Sequence, residues 1–345
     1  MDRKVEIIEG LVSTVIPVYN RPDMLKEAVQ SVLDQTYRPI EIIIADDGSG
    51  EEVFDVAGEL EEKHSDIIKY IRLGKNQGPG PAREAGRKLA KGEFIQYLDS
   101  DDLLMPGKFE LQVRALRDNP DCGIAYGYTK LVGEDGEGAD VPFKWTGKRM
   151  EKIFPGLLVD RWWCTDTPLY RRSVCDEIGP WSDLRWSQDW EYDARAGALK
   201  TKLVHCREFV SKHRGHGGIR QTLPADWCVS ERALARVQFL KSLYRCAQKA
   251  GVTAKDKEMR HFSRWMFLIA RRAGYAGLTA EAKECFDIAR EACGLKRAAG
   301  WDFRIYKVLT GFLGWKLTGK VFYFLVDRVK GRNPGKDTLK QSWME

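Results

Sequence analysis

Asp99-Ser100-Asp101-Asp102 closes the apolar run EFIQYLD (93–99) with a cluster of carboxylates. In an extended chain alternate side chains point the same way, so Asp99 and Asp101 face together. Two hard oxygen ligands so placed suit Mg²⁺ or Mn²⁺, with water and phosphate oxygens completing the shell. A second cluster, Asp46-Asp47-Gly48-Ser49, ends the run IEIIIAD (40–46). These residue types favour a turn and a helix cap. One carboxylate could equally bond a nucleobase or ribose, with Asp47 toward the ligand and Ser49 capping. A third segment, Gly74-Lys75-Asn76-Gln77-Gly78-Pro79-Gly80-Pro81-Ala82-Arg83, is rich in glycine, which lets a backbone approach a ligand closely. Arg83 enters a helix there and could reach a phosphate or base. The segment lacks the third glycine of a dinucleotide fingerprint, and the chain has no Walker A sequence, which weighs against dehydrogenases and P-loop NTPases.

These clusters need elements to hold them. LVSTVIPV (11–18), IEIIIAD, IIKYIRL (67–73) and EFIQYLD read as strands, and 21–36, 51–64 and 81–91 as helices between them. Strands alternating with helices predict a mainly parallel central sheet flanked by helices. Ligands of such sheets sit at the carboxyl ends of the strands, where Tyr19-Asn20, Asp46-Asp47 and Asp99 to Asp102 fall. Further on, 122–132 and 201–212 read as strands and 151–160 and 188–199 as helices. From about residue 225 the pattern is helical, near 225–250, 255–274, 279–293 and 302–330. The expected organisation is a catalytic domain over 1–220, with halves 1–118 and 119–220, and a basic helical region over 221–345.

Length and composition fit that division. The chain has 345 residues, 43% hydrophobic and 31% charged, which excludes a wholly disordered chain or a polytopic membrane protein. No uncharged apolar stretch of about 18 residues occurs, so a transmembrane helix is not expected. MDRKVEIIEG has no secretory apolar run, so export is not expected either. The eight cysteines include no C-x-x-C pair and read as reduced thiols, hence a cytoplasmic location. Of the net charge of +6, residues 221–345 carry 24 Lys and Arg against 12 Asp and Glu, so the front part is acidic. A basic tail suits anionic lipid, acidic polymers or nucleic acid. Nucleic acid is the less favoured of these.

V-I-P-V-Y-N-R (15–21), S-V-L-D-Q-T-Y (31–37), E-I-I-I-A-D-D-G-S (41–49), N-Q-G-P-G-P-A-R (76–83), G-E-F-I-Q-Y-L-D-S-D-D (92–102) and Q-D-W-E-Y (188–192) together resemble the inverting family 2 glycosyltransferases of GT-A fold. The likeness covers about residues 10–215. It implies an α/β fold with a Rossmann-like nucleotide-binding half, a nucleotide-diphosphate-sugar donor, UDP-linked, and a divalent metal, Mn²⁺ or Mg²⁺. Pro17, Tyr19 and Asp47 match nucleoside-contacting positions, and Asn20, Asn76, Arg83, Asp99 and Ser100 complete the expected donor set. Asp99 and Asp101 match the D-x-D metal motif, with Asp101 the direct ligand. Asp189 matches the catalytic base. Two positions depart from the family's habit: Glu84 follows the Ala-Arg pair, and Gln188 precedes the base.

The chemistry needs these groups. An oxocarbenium-like transition state expels a nucleoside diphosphate, whose charge a metal offsets. The acceptor hydroxyl must lose a proton to a carboxylate, and one base opposite the leaving group implies inversion. Asp189 could alternatively be a helix cap. His213-Arg214-Gly215-His216 could add a metal ligand, His213 before His216, or hold the pyrophosphate; H-x-x-H alone is not a zinc motif. Among the tryptophans at 162, 163, 181, 186 and 190, Trp163 and Trp186 are candidates for the acceptor site, with Thr165 and Asp166 weaker ones; core packing competes as an explanation. The pattern 302–330 could lie on anionic lipid, or pack its apolar side on the catalytic domain or on a partner subunit. The acceptor is then a glycan or lipid-linked glycan, the setting cell-surface polysaccharide synthesis at the inner face of the membrane, and the oligomeric state open. A nucleotidyltransferase would leave Q-D-W-E-Y without a task. A glycan- or nucleotide-binding scaffold would leave Asp101 and Asp189 dispensable, and a glycoside hydrolase would lack a free acid.

Overall fold

The computed structural model describes residues 6–215, 230–294 and 300–328. The chain divides into two compact units, Met1–Ile153 with Arg161–Gly217, and Phe154–Asp160 with Gly218–Glu345. Residues 154–160, which sequence grouped with the first part, fall in the second unit.

In the first unit the chain alternates β1 (Ile8–Val18), α1 (Pro22–Leu33), β2 (Ile40–Asp46), α2 (Glu51–Lys63), β3 (Ile68–Arg72), α3 (Pro79–Leu89) and β4 (Gly92–Tyr97). The apolar runs become buried strands: Val12, Val15, Ile16, Ile42, Ile44, Phe94 and Ile95 are shielded from water. Helix α1 presents Leu25, Ala28, Val29 and Val32 to that layer, the three- and four-residue spacing read from its sequence. Then follow β5 (Leu103–Leu104), α4 (Lys108–Asp118), β6 (Cys122–Val132), β7 (Leu169–Arg171), α5 (Arg172–Ile178), α6 (Gln188–Ala198) and β8 (Lys202–Arg214).

The eight strands form one sheet in the order β3-β2-β1-β4-β7-β6-β8-β5. Pairs β1–β2, β1–β4 and β2–β3 are parallel, as is β6–β8. Pairs β4–β7, β6–β7 and β5–β8 are antiparallel. The sheet is therefore mixed: four of its seven pairs are parallel, continuously so from β3 to β4, and three antiparallel pairs enter around β7 and at the β5 edge. The short strand β7, followed directly by α5, carries the reversal between β4 and β6. Parallel register aligns Val18 with Asp46 and Val15 with Tyr97, so β1, β2 and β4 deliver their carboxyl ends to one edge. The helix expected at 151–160 is only a 3-10 turn at Gly156–Leu158. Pro155 offers no N–H and Gly156 is a poor helix former, which limits the segment to one turn.

The second unit contains α7 (Ser230–Lys249), α8 (Lys257–Tyr275), α9 (Thr279–Ala292) and α10 (Trp301–Phe322). Helices α8 and α9 form the hairpin read from sequence, with Ser263 Oγ donating to the Ala289 carbonyl at 2.6 Å. Phe267 stacks on Phe303 with ring centroids 4.0 Å apart and meets Tyr306 edge-on, joining α10 to α8. Gly314 interrupts α10 with a φ of 73°.

Candidate active site

The turn after β1 and the turn after β2 are tied together. Asn20, at a φ of 52°, donates its N–H to Ser49 Oγ at 3.0 Å and accepts from Gly50 N with Oδ1 at 3.0 Å. Ser49 is thus engaged by Asn20, and the N-cap residue of α2 is Gly50, with no side-chain cap, contrary to the capping role expected of Ser49. Asp46 is wholly buried and accepts from Ser49 N at 2.8 Å and Tyr70 Oη at 2.8 Å. Asp47 accepts from Gln77 N at 2.8 Å and Gly78 N at 2.7 Å. The acid cluster and the glycine-rich segment therefore hold each other. A φ of +97° at Gly78 allows that turn, and a Cβ on Gly80 would lie 2.1 Å from the Ser182 carbonyl. Here the glycine admits a neighbouring strand of chain, a packing role the sequence did not suggest. Burial raises the Asp47 pKa, opposed by the two N–H donors. Pro17 is buried in β1, Tyr19 is 44% exposed beside it, and Asn76 accepts from Arg185 Nη2 at 3.2 Å.

At the end of β4, ligand oxygens of Asp99, Asp101 and Asp102 all lie within 4.8 Å of one another. Each has a cationic or histidine partner. Arg83 pairs with Asp99, Arg21 with Asp101, and His213 Nδ1 with Asp102 at 3.0 Å. Ser100 is buried between them. Arg83 is 2% exposed, lies 4.7 Å from the Trp181 ring centroid, and has Nε and Nη1 buried without a hydrogen-bond partner among the described residues. A buried guanidinium with two uncommitted nitrogens is poised for an anion.

Asp189 lies in the first turn of α6, two residues past the N-cap residue Ser187, so it is not the cap. Its Oδ2 accepts from Arg161 Nη1 at 2.6 Å and its Oδ1 from Trp190 N at 2.8 Å. Arg161 Nε reaches Asp193 Oδ2 at 2.7 Å. Asp193 is buried and also accepts from Trp163 Nε1 at 3.0 Å and Tyr170 Oη at 3.0 Å. Burial pushes Asp189 up, but Arg161, Arg83 and the Trp190 N–H outweigh it and hold the carboxyl below its ordinary value. For Asp193 burial prevails and the pKa rises. Trp163 is 2% exposed and committed to Asp193, so it is a core strut with no face free for an acceptor sugar. Trp186 is half-buried in the segment leading into α6, and Thr165 and Asp166 are buried.

Residues 13–179 match the family model described as Glycosyl transferase family 2. The chain carries a family 2 glycosyltransferase domain. It is similar to a glycosyltransferase of Nostoc sp., 34% identical over 205 residues, covering 58% of this chain and 60% of that one. Alignments to the first curated relatives span from 21% to 60% of their lengths. Among solved structures, S. aureus TarS 1–349 in complex with UDP-GlcNAc is similar in fold, with a TM-score of 0.60, 15% identity, and coverage of 93% of this chain and 92% of that one. A mannosyltransferase from Pyrobaculum calidifontis, in complex with GDP-Man and Mn²⁺, gives a TM-score of 0.50 at 13% identity, with coverage of 91% and 87%.

The acid cluster of this domain fits a hard divalent cation. Asp99 and Asp101 offer converging carboxylate oxygens. Both oxygens of Asp102 are already engaged, Oδ2 by His213 and Oδ1 by Arg214 N, each at 3.0 Å. His213 meets Asp102, Cys164 and Asp166, and stands outside the trio formed by Asp99, Asp101 and Asp102. Burial lowers the His213 pKa, but hydrogen bonds with Asp102 and Cys164 outweigh it and the group is pushed up. His216 lies outside the described residues. The two departures from family habit have local partners or a packed place: Glu84 forms a bidentate pair with Arg87 at 2.9 Å, and Gln188 is buried, its Cβ 3.7 Å from the site of a Gly80 Cβ. Sequence reasoning missed Arg161 and Arg21, which reach carboxylates 28 and 80 residues away.

Proposed function

We propose that the enzyme transfers a sugar from a nucleoside-diphosphate sugar, UDP-linked, to a hydroxyl of a glycan or lipid-linked glycan, by one inverting displacement. One observation carries this reading. Arg83 joins the two ends of the reaction: it pairs with Asp99 of the acid cluster, and its charge acts on Asp189. Asp99 and Asp101 would hold Mn²⁺ or Mg²⁺, and Pro17, Tyr19, Asn20, Asp47, Asn76 and Ser100 would flank the nucleotide. When bound, the cation offsets charge developing on the departing diphosphate. The uncommitted nitrogens of Arg83 add donors to the same oxygens. The acceptor oxygen forms its bond to the anomeric carbon as the bond to the diphosphate oxygen breaks, the electron pair leaving with the diphosphate, and the Asp189 carboxylate takes the hydroxyl proton as the new bond forms. Asp189 is ionised at neutral pH, and a hydroxyl becomes acidic as its oxygen bonds carbon, so a weak carboxylate base suffices late in the step. A UDP donor is favoured because TarS, the neighbour of higher TM-score, binds UDP-GlcNAc.

The acceptor side has support of its own. Trp186 is half-buried near Asp189 in sequence, and α10 exposes Trp301 at 78%, Phe312 at 84% and Val308 at 57%. Arg304, Lys307, Lys316 and Lys320 punctuate that helix, whose one acid is Asp302. Aromatics flanked by bases fit a helix lying in an anionic lipid interface, where a lipid-linked acceptor would be met at the inner face of the membrane. No described helix is long and apolar enough to cross a membrane.

The test is calorimetry with UDP-, GDP-, dTDP- and CMP-linked nucleotides, with and without Mn²⁺, on wild type and Asp101→Ala. Saturable, metal-dependent binding of one nucleoside diphosphate, lost in the variant, is the expected result. Absence of nucleotide binding under every condition would overturn the donor assignment.

A further inference from the structure

The sequence offers His213 no companion ligands, but the fold supplies them. Ligand atoms of Cys164, Asp166 and His213 all lie within 4.8 Å of one another. Cys164 is 5% exposed and Asp166 is fully shielded. Both carboxylate oxygens of Asp166 are buried without a hydrogen-bond partner among the described residues. An ionised carboxylate with no donor is expensive to bury, and the usual remedies are a paired cation or a metal. Buried Lys108 is near enough for its charge to interact with Asp166, but its Nζ donates to the Thr167 carbonyl at 2.8 Å and to neither Asp166 oxygen.

The surroundings hold the three side chains in place. Gln96 Nε2 donates to the Asp166 carbonyl at 3.1 Å, and Gln112 Nε2 to the Thr167 carbonyl at 3.0 Å. The Cys164 N–H donates to Thr167 Oγ1 at 3.2 Å. These bonds use backbone and threonine groups of the 164–167 loop and leave the thiol and carboxylate uncommitted to that scaffold. The imidazole stacks on Phe143 with centroids 5.7 Å apart, and its Nδ1 is held by Asp102 at 3.0 Å. A carboxylate on one ring nitrogen orients the other toward a metal and raises its basicity, the arrangement common behind zinc-bound histidines.

We propose that Cys164 Sγ, a carboxylate oxygen of Asp166 and Nε2 of His213 bind a zinc ion, separate from the cation of Asp99 and Asp101. Thiolate, imidazole and one carboxylate select zinc over Mg²⁺ or Mn²⁺, which favour oxygen alone. Binding releases the thiol proton and any proton on Nε2 to solvent, so thiolate and carboxylate together balance the ion's charge. Three protein ligands leave a fourth position for water. The ion clamps the 164–167 loop to the end of β8 and, through Asp102, to the turn bearing Asp99 and Asp101. The proposal stands on these residues and does not depend on the sugar donor.

The experiment measures metal in the full-length protein after zinc loading and dialysis, and records the absorption spectrum of the Co²⁺-substituted form. Stoichiometric zinc and a thiolate-to-cobalt charge-transfer band are expected. Cys164→Ser, checked for folding by circular dichroism, should lose the band and the zinc, whereas Asp101→Ala should keep both. Failure of folded wild type to retain zinc, or Co²⁺ binding without a thiolate band, would overturn the assignment. So would zinc kept by Cys164→Ser and lost by Asp101→Ala, which would assign the ion to the acid cluster.

Discussion

Replacing Arg161 by glutamine should move the acid limb of the pH–rate profile upward. Arg161 Nη1 lies 2.6 Å from Asp189 Oδ2 and is the largest influence holding that carboxyl down against burial. An adjacent guanidinium lowers a carboxyl pKa by about 1–3 units. The Asp189 side chain is 29% exposed, and Arg83 and the Trp190 N–H remain after the substitution. The lower part of that range therefore applies, and the limb should rise by about 1–2 pH units. The sign follows from the opposing influences: with the cation gone, burial is less opposed and the proton is held more tightly. The assay is kcat/KM across the acidic range, where the limb reports the free enzyme's base. Arg161 also serves buried Asp193, so Arg161→Gln should be less stable; losing one partner of a buried pair costs up to about 3–5 kcal/mol, less where an amide N–H remains. Rates are therefore taken well below the variant's melting temperature. Asp189→Asn is the companion, expected to lose about 10²–10⁴-fold in kcat with no acid limb. A limb that stays in place or moves down in Arg161→Gln would refute Asp189 as the titrating base.

Three further outcomes are expected. Arg83→Lys keeps the charge but loses the planar fork and the stack on Trp181, so donor KM should rise about tenfold or more; unchanged donor affinity would remove Arg83 from the phosphate site. Gly80→Ala puts a methyl 2.1 Å from the Ser182 carbonyl and should lower stability by about 1–3 kcal/mol, read as a fall in Tm; an unchanged Tm would mean the two segments part freely. Phe312→Ser with Leu317→Ser removes exposed apolar area from α10 and should cut partition to anionic vesicles by tenfold or more, with Tm unchanged, since each side chain contributes about 1.5–3 kcal/mol when buried. Undiminished vesicle binding, or a wild-type oligomer that the variant dissolves, would assign that face to something other than lipid.

What the sequence makes legible here is what is local. Strand β2 runs over Ile40–Asp46 as its apolar run reads, and the run ends in acids that are themselves buried and held by hydrogen bonds. Asp46 and Asp47 are thereby visible as a strand end from residue order alone. Their division of labour is not visible, because it is decided by Tyr70, Gln77 and Gly78, which approach from other segments. The tryptophans show the same limit. An indole has one N–H, and whether its face meets sugar or core depends on where that N–H finds an acceptor. For Trp163 the acceptor is Asp193, which also draws in Arg161 and Tyr170. One buried carboxylate thus decides the fate of a tryptophan, fixes an arginine, and through that arginine sets the proton affinity of Asp189. No spacing rule encodes such a chain, since its links are 23 to 32 residues apart and chosen by shape. An alternative buried acceptor at 193, such as asparagine, would keep the helix and the hydrophobic pattern intact while releasing Arg161 to pair with Asp189 alone. The base would then be a different acid in an unchanged fold, which is why fold was readable from periodicity and proton affinity was not.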